Sequence, residues 1–241
     1  MNPLVKPLVK STAFLTVMAC LTALCGCATH YADDPLVASA RGLHRSVVLL
    51  TMNVPAEKKH APPDQEYATG VVVASGKWGS DVLTVQHAVD HASDLHVTVD
   101  NKTKLNADVV AQDKDQDVAL LRTREPNLPV AVLGSSKDLD RQLGRELGLL
   151  GYPVPDDFDD EGLDLATSLA TGNLSASRND AIEVTMPIVP GYSGGPIFLA
   201  DTGEIIALAD SRFDDERSIG FGVPIDDAKR FLHQYDGAHG F

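Results

Sequence analysis

Three short segments carry side chains that could perform chemistry together. His87 lies in an apolar stretch, LTVQHAV; Asp117 begins another, DVALLR; and Ser193 lies among glycines in PGYSGGP. Cleavage of an acyl bond by a serine requires a base that removes the hydroxyl proton and a carboxylate that fixes the tautomer of that base. Each segment alone is ambiguous, because isolated histidines and aspartates before strands are common. Together they predict a serine nucleophile with a histidine base.

The glycines around Ser193 suit the oxyanion that forms during acyl transfer. Gly191 allows a turn that brings its own N–H and that of Ser193 to one point, where they would stabilise the developing charge. Gly194 and Gly195 carry no Cβ, so a substrate backbone can come close. We therefore expect the backbone N–H groups of Gly191 and Ser193 to form an oxyanion hole.

Short β-rich segments must position these residues. Val, Thr, Leu and Ile dominate them, and Gly, Asn, Asp and Lys separate them, as is typical of strands. A first group of predicted strands comprises Ser46–Asn53, Tyr67–Ala74, Asp81–Val85, Leu95–Asp100, Leu105–Ala111 and Asp117–Arg122. A second group comprises Arg145–Tyr152, Leu165–Leu174, Ala181–Met186, Pro196–Leu199, Glu204–Asp210 and Ile219–Val223. Only Asp226–Tyr235 has helical spacing, so an all-β sandwich or a pair of barrels is predicted.

The sequence resembles the trypsin-like peptidases, and in particular the protease domain of the HtrA/Deg group. The resemblance extends from about Val47 to Leu232 and rests on ATGVVVAS, LTVQHAV, DVALLR, PGYSGGPIF, GEIIALADS and IGFGVPIDDAKRFL, with the triad in the chymotrypsin order. It implies a chymotrypsin-like fold of two six-stranded antiparallel β-barrels with a short C-terminal helix. The barrels would span about 43–124 and about 140–224, the helix 225–235, and the site would lie in the cleft between the barrels.

Carried over to this chain, the resemblance implies a serine-type endopeptidase that acts on polypeptides. Ser193 would be the nucleophile, His87 the general base and then the general acid, and Asp117 the carboxylate that orients it. This chemistry calls for no metal and no other cofactor.

Substrate-binding residues follow from the same resemblance. The segment of Ala209, Asp210, Ser211 and Arg212 would pair with the substrate backbone as an added strand. Pro187 lies six residues before the nucleophile, at the floor of the primary specificity pocket, and offers no charge for Lys or Arg. Small or aliphatic substrate residues are therefore expected in that pocket, which the loop Arg212–Glu216 would border.

Two features depart from the family pattern. Tyr192 replaces the aspartate of digestive trypsins and the asparagine usual in HtrA proteins, so activation by a salt bridge to a freed N-terminus is not expected. Its bulky ring could disturb the oxyanion loop, which leaves an alternative: a lipoprotein on the same fold that binds peptides without cleaving them. No PDZ-type domain follows within the 241 residues, so peptide sensing and cage assembly through such a domain are not expected.

A different hydrolase fold is disfavoured. Gly191–Gly195 also fits the G-x-S-x-G pattern of α/β-hydrolases. That fold needs a helix directly after the serine and a later acid and histidine. Here Gly-Gly-Pro and a β-like segment follow, and only 48 residues remain.

Metal sites are not predicted. Asp113–Asp117 imitates the start of an EF-hand loop, but the glycine and the final glutamate of that loop are missing. His87, His91 and His96 lack the glutamate of a zinc-binding H-E-x-x-H motif.

The N-terminus is typical of an exported lipoprotein. Lys6 and Lys10 precede an apolar run of 13 residues, Ala13–Cys25, which is shorter than the roughly 20 residues of a membrane-spanning helix. The sequence Leu-Cys-Gly-Cys that ends at Cys27 resembles the bacterial lipoprotein signal, which implies a signal peptide over 1–26 and a lipid anchor on Cys27. The alternative is a plain secretory signal cut near Ala28. Residues 27–42 would form an irregular tether and 43–241 the domain, facing the periplasm or the cell surface.

Composition narrows the partners. The formal net charge is −14, and residues 27–241 alone would carry −16, which argues against nucleic acid. All three cysteines lie at or before Cys27, so an internal disulfide in the domain is excluded. The acidic stretches Asp156–Glu161 and Asp214–Glu216 are predicted to be solvated loops. No feature of the sequence indicates which oligomeric state the protein adopts.

Overall fold

The computed structural model describes residues 34–56, 62–210 and 219–239 of the chain. In this part of the chain, twelve strands form two closed antiparallel barrels of six strands each. The first barrel contains β1 Val47–Val54, β2 Asp64–Gly76, β3 Gly79–Thr84, β4 Ser93–Val99, β5 Thr103–Asp113 and β6 Val118–Thr123. The second contains β7 Glu146–Gly151, β8 Ser168–Ser177, β9 Ile182–Val184, β10 Pro196–Leu199, β11 Ile205–Asp210 and β12 Gly220–Pro224. The helices are α1 Pro35–Leu43, α2 Pro155–Asp160 and α3 Ile225–His239, with 3-10 turns at His44–Ser46, His87–Val89 and Leu139–Gln142.

The strand order confirms the predicted chymotrypsin-like fold. The first barrel closes in the order β1-β2-β3-β6-β5-β4, and the second in the order β10-β11-β12-β9-β8-β7. Closure pairs every strand on both sides and leaves no exposed sheet edge within a barrel. Each predicted strand corresponds to an observed one, with ends that differ by a few residues.

The two barrels share part of their hydrophobic core. One buried cluster joins Val71 and Leu83 of the first barrel to Leu150, Phe198 and Leu208 of the second. Burial of such side chains stabilises the fold by about 1.5–3 kcal/mol each. Residues on facing strands of different barrels are therefore held in fixed positions, as a shared active site requires.

The prediction of an irregular tether over residues 27–42 is wrong for its last part, because helix α1 begins at Pro35. The Asp34 carboxylate accepts hydrogen bonds from the backbone N–H groups of Leu36 and Val37, at 2.9 and 3.3 Å, and Pro35 occupies the first helical turn. The Ser39 hydroxyl donates to the Ala200 carbonyl at 2.9 Å. α1 therefore packs on the second barrel as part of the domain. The signal peptide 1–26 and Cys27 lie outside the described residues.

The acidic stretch after β7 also differs from its prediction as a loop. Pro155–Asp160 forms the short helix α2, which a proline at its start and acidic residues in its first turn favour. The other acidic stretch, Asp214–Glu216, lies outside the described residues.

The C-terminal helix is longer than predicted. α3 spans Ile225–His239 and buries Ala228 and Phe231 against the shared core. At its start, the Asp226 carboxylate accepts hydrogen bonds from the Ser136 N–H and the Ser135 hydroxyl, each at 2.9 Å. Within the described ranges, no helix combines the length and the apolar character needed to cross a bilayer.

Candidate active site

His87 and Asp117 are joined by two hydrogen bonds within the first barrel. His87 begins the 3-10 turn that follows β3, and Asp117 directly precedes β6. The Asp117 Oδ1 accepts the backbone N–H of His87, and its Oδ2 contacts the His87 ring Nδ1, both at 2.9 Å. Because an ionised carboxylate can only accept, this contact favours the neutral tautomer that carries its proton on Nδ1 and leaves Nε2 as the acceptor.

A tight turn presents Asp117 to the histidine. The Asp113 carboxylate accepts hydrogen bonds from the backbone N–H groups of Asp115 and Gln116, each at 2.9 Å. Asp117 then adopts a φ of 52°, a left-handed conformation that aspartate tolerates better than most residues. Its side chain is almost completely buried, at 6% exposure. The carboxylate is thus fixed by the backbone and shielded from water.

Ser193 completes the arrangement from the second barrel. Its Oγ lies 3.2 Å from the His87 Nε2, although the two residues are 106 positions apart. The serine is buried at 5% exposure, whereas the His87 side chain keeps 25%. The structure therefore brings all three predicted triad residues together in a continuous path from carboxylate to hydroxyl.

The loop before Ser193 forms a tight turn whose carbonyls are bound by other parts of the fold. The Tyr192 N–H donates to the Val189 carbonyl at 3.1 Å, and Gly191 has a φ of 90°, which a type II turn requires at its third position. The Pro190 carbonyl accepts the Val154 N–H at 2.9 Å. A Cβ at position 191 would lie 2.1 Å from the Tyr152 carbonyl, so only glycine fits.

Tyr192 does not project into the cleft. Its ring is buried at 6% exposure in the hydrophobic cluster of the second barrel. It lies so close to Gly151 that a Cβ there would be 2.7 Å from the ring. Burial raises the pKa of the Tyr192 hydroxyl. Apolar packing therefore anchors this loop.

The predicted substrate-pairing segment requires a correction at Ala209. Its N–H donates to the Gly195 carbonyl and its carbonyl accepts the Gly194 N–H, both at 2.8 Å, so its backbone is already committed to the barrel. Asp210 ends β11 and is buried at 4% exposure. Ser211 and Arg212 lie outside the described residues.

Asp210 lies beside the triad, which the sequence analysis did not anticipate. One ligating atom each of His87, Asp117 and Asp210 lies within 4.8 Å of the others. These side chains are the described residues most suited to hold a cation, but the His87 Nδ1 and the Asp117 Oδ2 already bind each other. His91 and His96 contact Asp90 and Asp94 instead, at 3.8 and 3.1 Å, and do not join this group.

A cleft of about 350 Å³ opens in front of the nucleophile. It is lined by Val54, Glu66, Tyr67, His87, Ala88, Asp90, Pro190, Gly191 and Ser193. Burial raises the pKa of Glu66, and the negative charges of Asp156 and Asp64 raise it further. Pro187 is exposed and does not line this cleft, and the loop Arg212–Glu216 lies outside the described residues, so the primary pocket stays a prediction.

The arrangement can transfer a proton from a hydroxyl to an imidazole. The His87 Nε2 faces the Ser193 Oγ at 3.2 Å, and a buried carboxylate would stabilise the imidazolium that forms when Nε2 takes the proton. The sequence analysis missed Thr69, whose hydroxyl binds the Gly191 carbonyl at 2.7 Å. Nothing in the sequence marks this threonine, because the contact spans 122 residues and depends on how the barrels meet.

Comparisons with known proteins place the chain in a family. The family model described as "Trypsin-like peptidase domain" matches residues 68–208. A "Probable periplasmic serine endoprotease DegP-like" of Halomonas elongata is 29% identical over 183 residues, covering 71% of this chain and 35% of the relative. The "Serine protease Do-like HtrA" of Bacillus subtilis is 30% identical over 171 residues, covering 67% of this chain and 37% of the relative. The chain thus spans little more than a third of the length of these relatives.

Solved structures with the same fold are also found. A solved structure of the HtrA-type protease AlgW with a tripeptide superposes with a TM-score of 0.68 at 21% identity, covering 83% of this chain and 62% of the other. At 21% identity, this structural match supports the fold alone. The family model spans more than half of the chain, however, and the predicted resemblance is confirmed: the chain belongs to the trypsin-like peptidase family.

Proposed function

We propose that the protein is a serine endopeptidase that hydrolyses peptide bonds of protein substrates through a covalent acyl-enzyme. The observation that carries this proposal is the path of contacts from the Asp117 carboxylate through the His87 imidazole to the Ser193 hydroxyl, at 2.9 and 3.2 Å. The relatives named serine proteases support the same activity.

In the first half-reaction, the Ser193 Oγ attacks the carbonyl carbon of the scissile bond while its proton passes to the His87 Nε2. The carbonyl oxygen becomes an oxyanion, which the N–H groups of Gly191 and Ser193 bind. The imidazolium, stabilised by Asp117, then gives its proton to the amide nitrogen of the leaving group. The C–N bond breaks, and the new N-terminal amine departs.

In the second half-reaction, water replaces the departed amine. His87 Nε2 takes a proton from this water as the hydroxyl attacks the acyl carbon. The tetrahedral intermediate collapses, the ester bond to the Ser193 Oγ breaks, and the histidine returns the proton to that oxygen. The enzyme is restored and the product carboxylic acid leaves.

Peptide backbones would bind as an added strand along the last residue of β11 and the residues that follow it. Because Ala209 is fully paired within the barrel, the proposed pairing residues are Asp210, Ser211 and Arg212. Near Pro187, the neighbouring Ile188 side chain fills the space beside Gly220, where a Cβ would lie 2.6 Å from it. This aliphatic, uncharged wall supports small or aliphatic residues at the cleavage site.

The packing of Tyr192 argues against the alternative of an idle peptide-binding protein. That alternative depended on a bulky ring disturbing the oxyanion loop. The ring is buried in the second barrel, and the turn at Gly191 keeps its positive φ of 90°.

We also propose an envelope location with a lipid anchor at Cys27. The charged start, the apolar run Ala13–Cys25 and the small residues before Cys27 support export and lipidation. The name of the Halomonas elongata relative includes the word periplasmic. Metabolic labelling with an alkyne fatty acid should tag the wild-type protein in a bacterial host, whereas Cys27→Ala should remain unlabelled.

Digestion of an unfolded protein such as reduced casein tests the proposed activity. Wild-type protein should release new N-termini, and Ser193→Ala should reduce the rate by about 10⁶-fold. The control Ser93→Ala alters an exposed serine on β4 and should cleave at the wild-type rate. Undiminished cleavage by Ser193→Ala would contradict the proposal.

A peptide library tests the proposed specificity. Quenched fluorescent peptides that vary in the residue before the scissile bond should be cleaved best after Ala, Val or other small aliphatic residues. A strong preference for Lys or Arg would refute this assignment of the pocket.

A further inference from the structure

Thr69 lies in β2 of the first barrel, yet its side chain binds the nucleophile loop of the second. The residue is fully buried. Its hydroxyl donates to the Gly191 carbonyl at 2.7 Å and accepts the Tyr152 backbone N–H at 3.1 Å. Resting on the proposed function, we propose that Thr69 is a positioning residue for the oxyanion hole. Its hydroxyl holds Gly191 in the conformation that directs a backbone N–H at the reaction centre.

The Thr69 backbone fixes the other half of the hole. Its N–H donates to the Ser193 carbonyl at 2.8 Å, and its own carbonyl accepts the Thr84 hydroxyl, also at 2.8 Å. Thr84 is fully buried at the end of β3. One residue of the first barrel therefore binds both Gly191 and Ser193, which would supply the donors for the oxyanion.

The Gly191 carbonyl matters because glycine has no intrinsic preference for the sign of φ. The peptide group before Gly191 carries the donor of the hole, and its carbonyl, from Pro190, is bound to the Val154 N–H at 2.9 Å. The peptide group after Gly191 is bound by Thr69. With both groups held, the rotation at Gly191 is set. Without the hydroxyl, the loop could rotate and turn a carbonyl, which repels an oxyanion, toward the substrate.

The barrels approach so closely at this point that the hydroxyl fits without spare room. A Cβ on Gly151 would lie 2.8 Å from the Thr69 Oγ1 and 2.7 Å from the Tyr192 ring. In such a buried position, a lost partner leaves the Gly191 carbonyl and the Tyr152 N–H unsatisfied, which is costly. The loop would therefore shift to find new partners.

Thr69→Val tests this role because it replaces the hydroxyl by a methyl group of similar size. We expect kcat to fall by about 10- to 100-fold while KM changes by less than about threefold, since the lost interaction acts on the transition state. Thr69→Ser keeps the hydroxyl and should stay within about threefold of wild-type kcat. Thr123→Val is the matched control: Thr123 is a buried threonine of β6 outside the site and should keep wild-type kinetics.

A transition-state analogue separates positioning from a general structural effect. A peptide aldehyde forms a hemiacetal with Ser193 that places an oxygen in the hole. Its inhibition constant should weaken in Thr69→Val by the same factor as kcat/KM. Binding of the corresponding peptide amide to the Ser193→Ala and Thr69→Val/Ser193→Ala proteins should be nearly equal. A merely structural defect would weaken both ligands alike.

The outcomes distinguish this inference from the proposed function. A wild-type protein that neither cleaves casein nor binds the aldehyde overturns the proposed function itself. An active wild type whose Thr69→Val variant keeps kcat and aldehyde affinity overturns only the role of Thr69. If Thr69→Val does not fold, Thr69→Ala and Thr69→Ser replace it, because both lack the methyl group and differ only in the hydroxyl. Equal kcat for these two variants would also overturn the inference.

Discussion

The Asp117 carboxylate binds His87 at two points, with Oδ1 on the backbone N–H and Oδ2 on the ring Nδ1, each at 2.9 Å. One side chain therefore sets both the position of the histidine backbone and the orientation of its ring. Because the carboxylate is a pure acceptor, it also selects the tautomer whose Nε2 can take a proton.

Asp117→Asn should preserve the shape of the site but prevent His87 from acting as a base. An amide at this position can donate to Nδ1, which favours the tautomer with the proton on Nε2. We expect kcat to fall by about 10⁴-fold with little change in thermal stability. Steady-state kinetics on a peptide substrate measures the effect. Asp115→Asn, an exposed acid of the same turn, should retain wild-type kcat, and equal activity of the two variants would argue against the triad.

Two glycines with nearly equal φ should respond differently to alanine. Gly194 has a φ of 83°, and a Cβ there would lie 2.1 Å from the Thr84 hydroxyl and 2.2 Å from the Thr69 carbonyl. Gly144 has a φ of 85° but nothing within 4 Å. We expect Gly144→Ala to cost about 1 kcal/mol of unfolding free energy, the strain of the left-handed backbone alone. Gly194→Ala should cost more than about 3 kcal/mol in urea unfolding. Equal losses would show that the nucleophile loop is packed less tightly than the structure shows.

The ion pair of Asp81 and Arg122 should stabilise the first barrel and its contact with α3. The guanidinium donates to both carboxylate oxygens, at 2.7 and 2.9 Å, and these bonds raise the pKa of Arg122. It also stacks on the Trp78 ring at 4.5 Å. Asp81→Ala removes the carboxylate that binds this half-buried guanidinium through two hydrogen bonds, so we expect a loss of about 2–3 kcal/mol in unfolding free energy. Asp108→Ala, an exposed neighbour on β5, should change stability by less than about 0.5 kcal/mol.

The stability of the protein should decline at alkaline pH through Tyr192. Burial raises the pKa of its hydroxyl above the ordinary value of 10.0, so the unfolded chain loses this proton first as the pH rises. Between the unfolded and the folded pKa, stability falls by at most about 1.4 kcal/mol per pH unit for this group. Urea unfolding of wild type and Tyr192→Phe at pH 8, 10 and 11 measures it. The variant should lose less stability than wild type between pH 10 and 11, and parallel losses would contradict this account.

Much of the architecture could be predicted from local patterns. The β-rich composition of each segment and the turn residues between segments located the twelve strands of the described ranges, and the glycine-rich segment around Ser193 identified the nucleophile. The pairing of His87 with Asp117 followed from the resemblance of their segments to the trypsin-like peptidases. The strands and the nucleophile segment depend on residues close together in the chain.

The contacts that were missed join distant parts of the chain. The Thr69 hydroxyl binds the Gly191 carbonyl, 122 positions away in the chain. Asp210 lies close to Asp117 because the two barrels pack against each other. The direction of the Tyr192 ring depends on the space beside Gly151, which no local pattern encodes. Helix α1 was missed for another reason: its segment was interpreted as an irregular tether, although Leu36, Ala40 and Leu43 recur at helical spacing and pack on the core, and the Asp34 cap and Pro35 are ordinary start signals.

If His87 activates Ser193 as a nucleophile, Ser193 should react with a fluorophosphonate probe. The probe forms a phosphoester with an activated serine and releases fluoride, so labelled peptides can be mapped by mass spectrometry. We predict one adduct, on Ser193, that disappears in Ser193→Ala and is strongly reduced in His87→Ala. Folded wild-type protein that remains unlabelled, or that is labelled equally well without His87, would contradict the account.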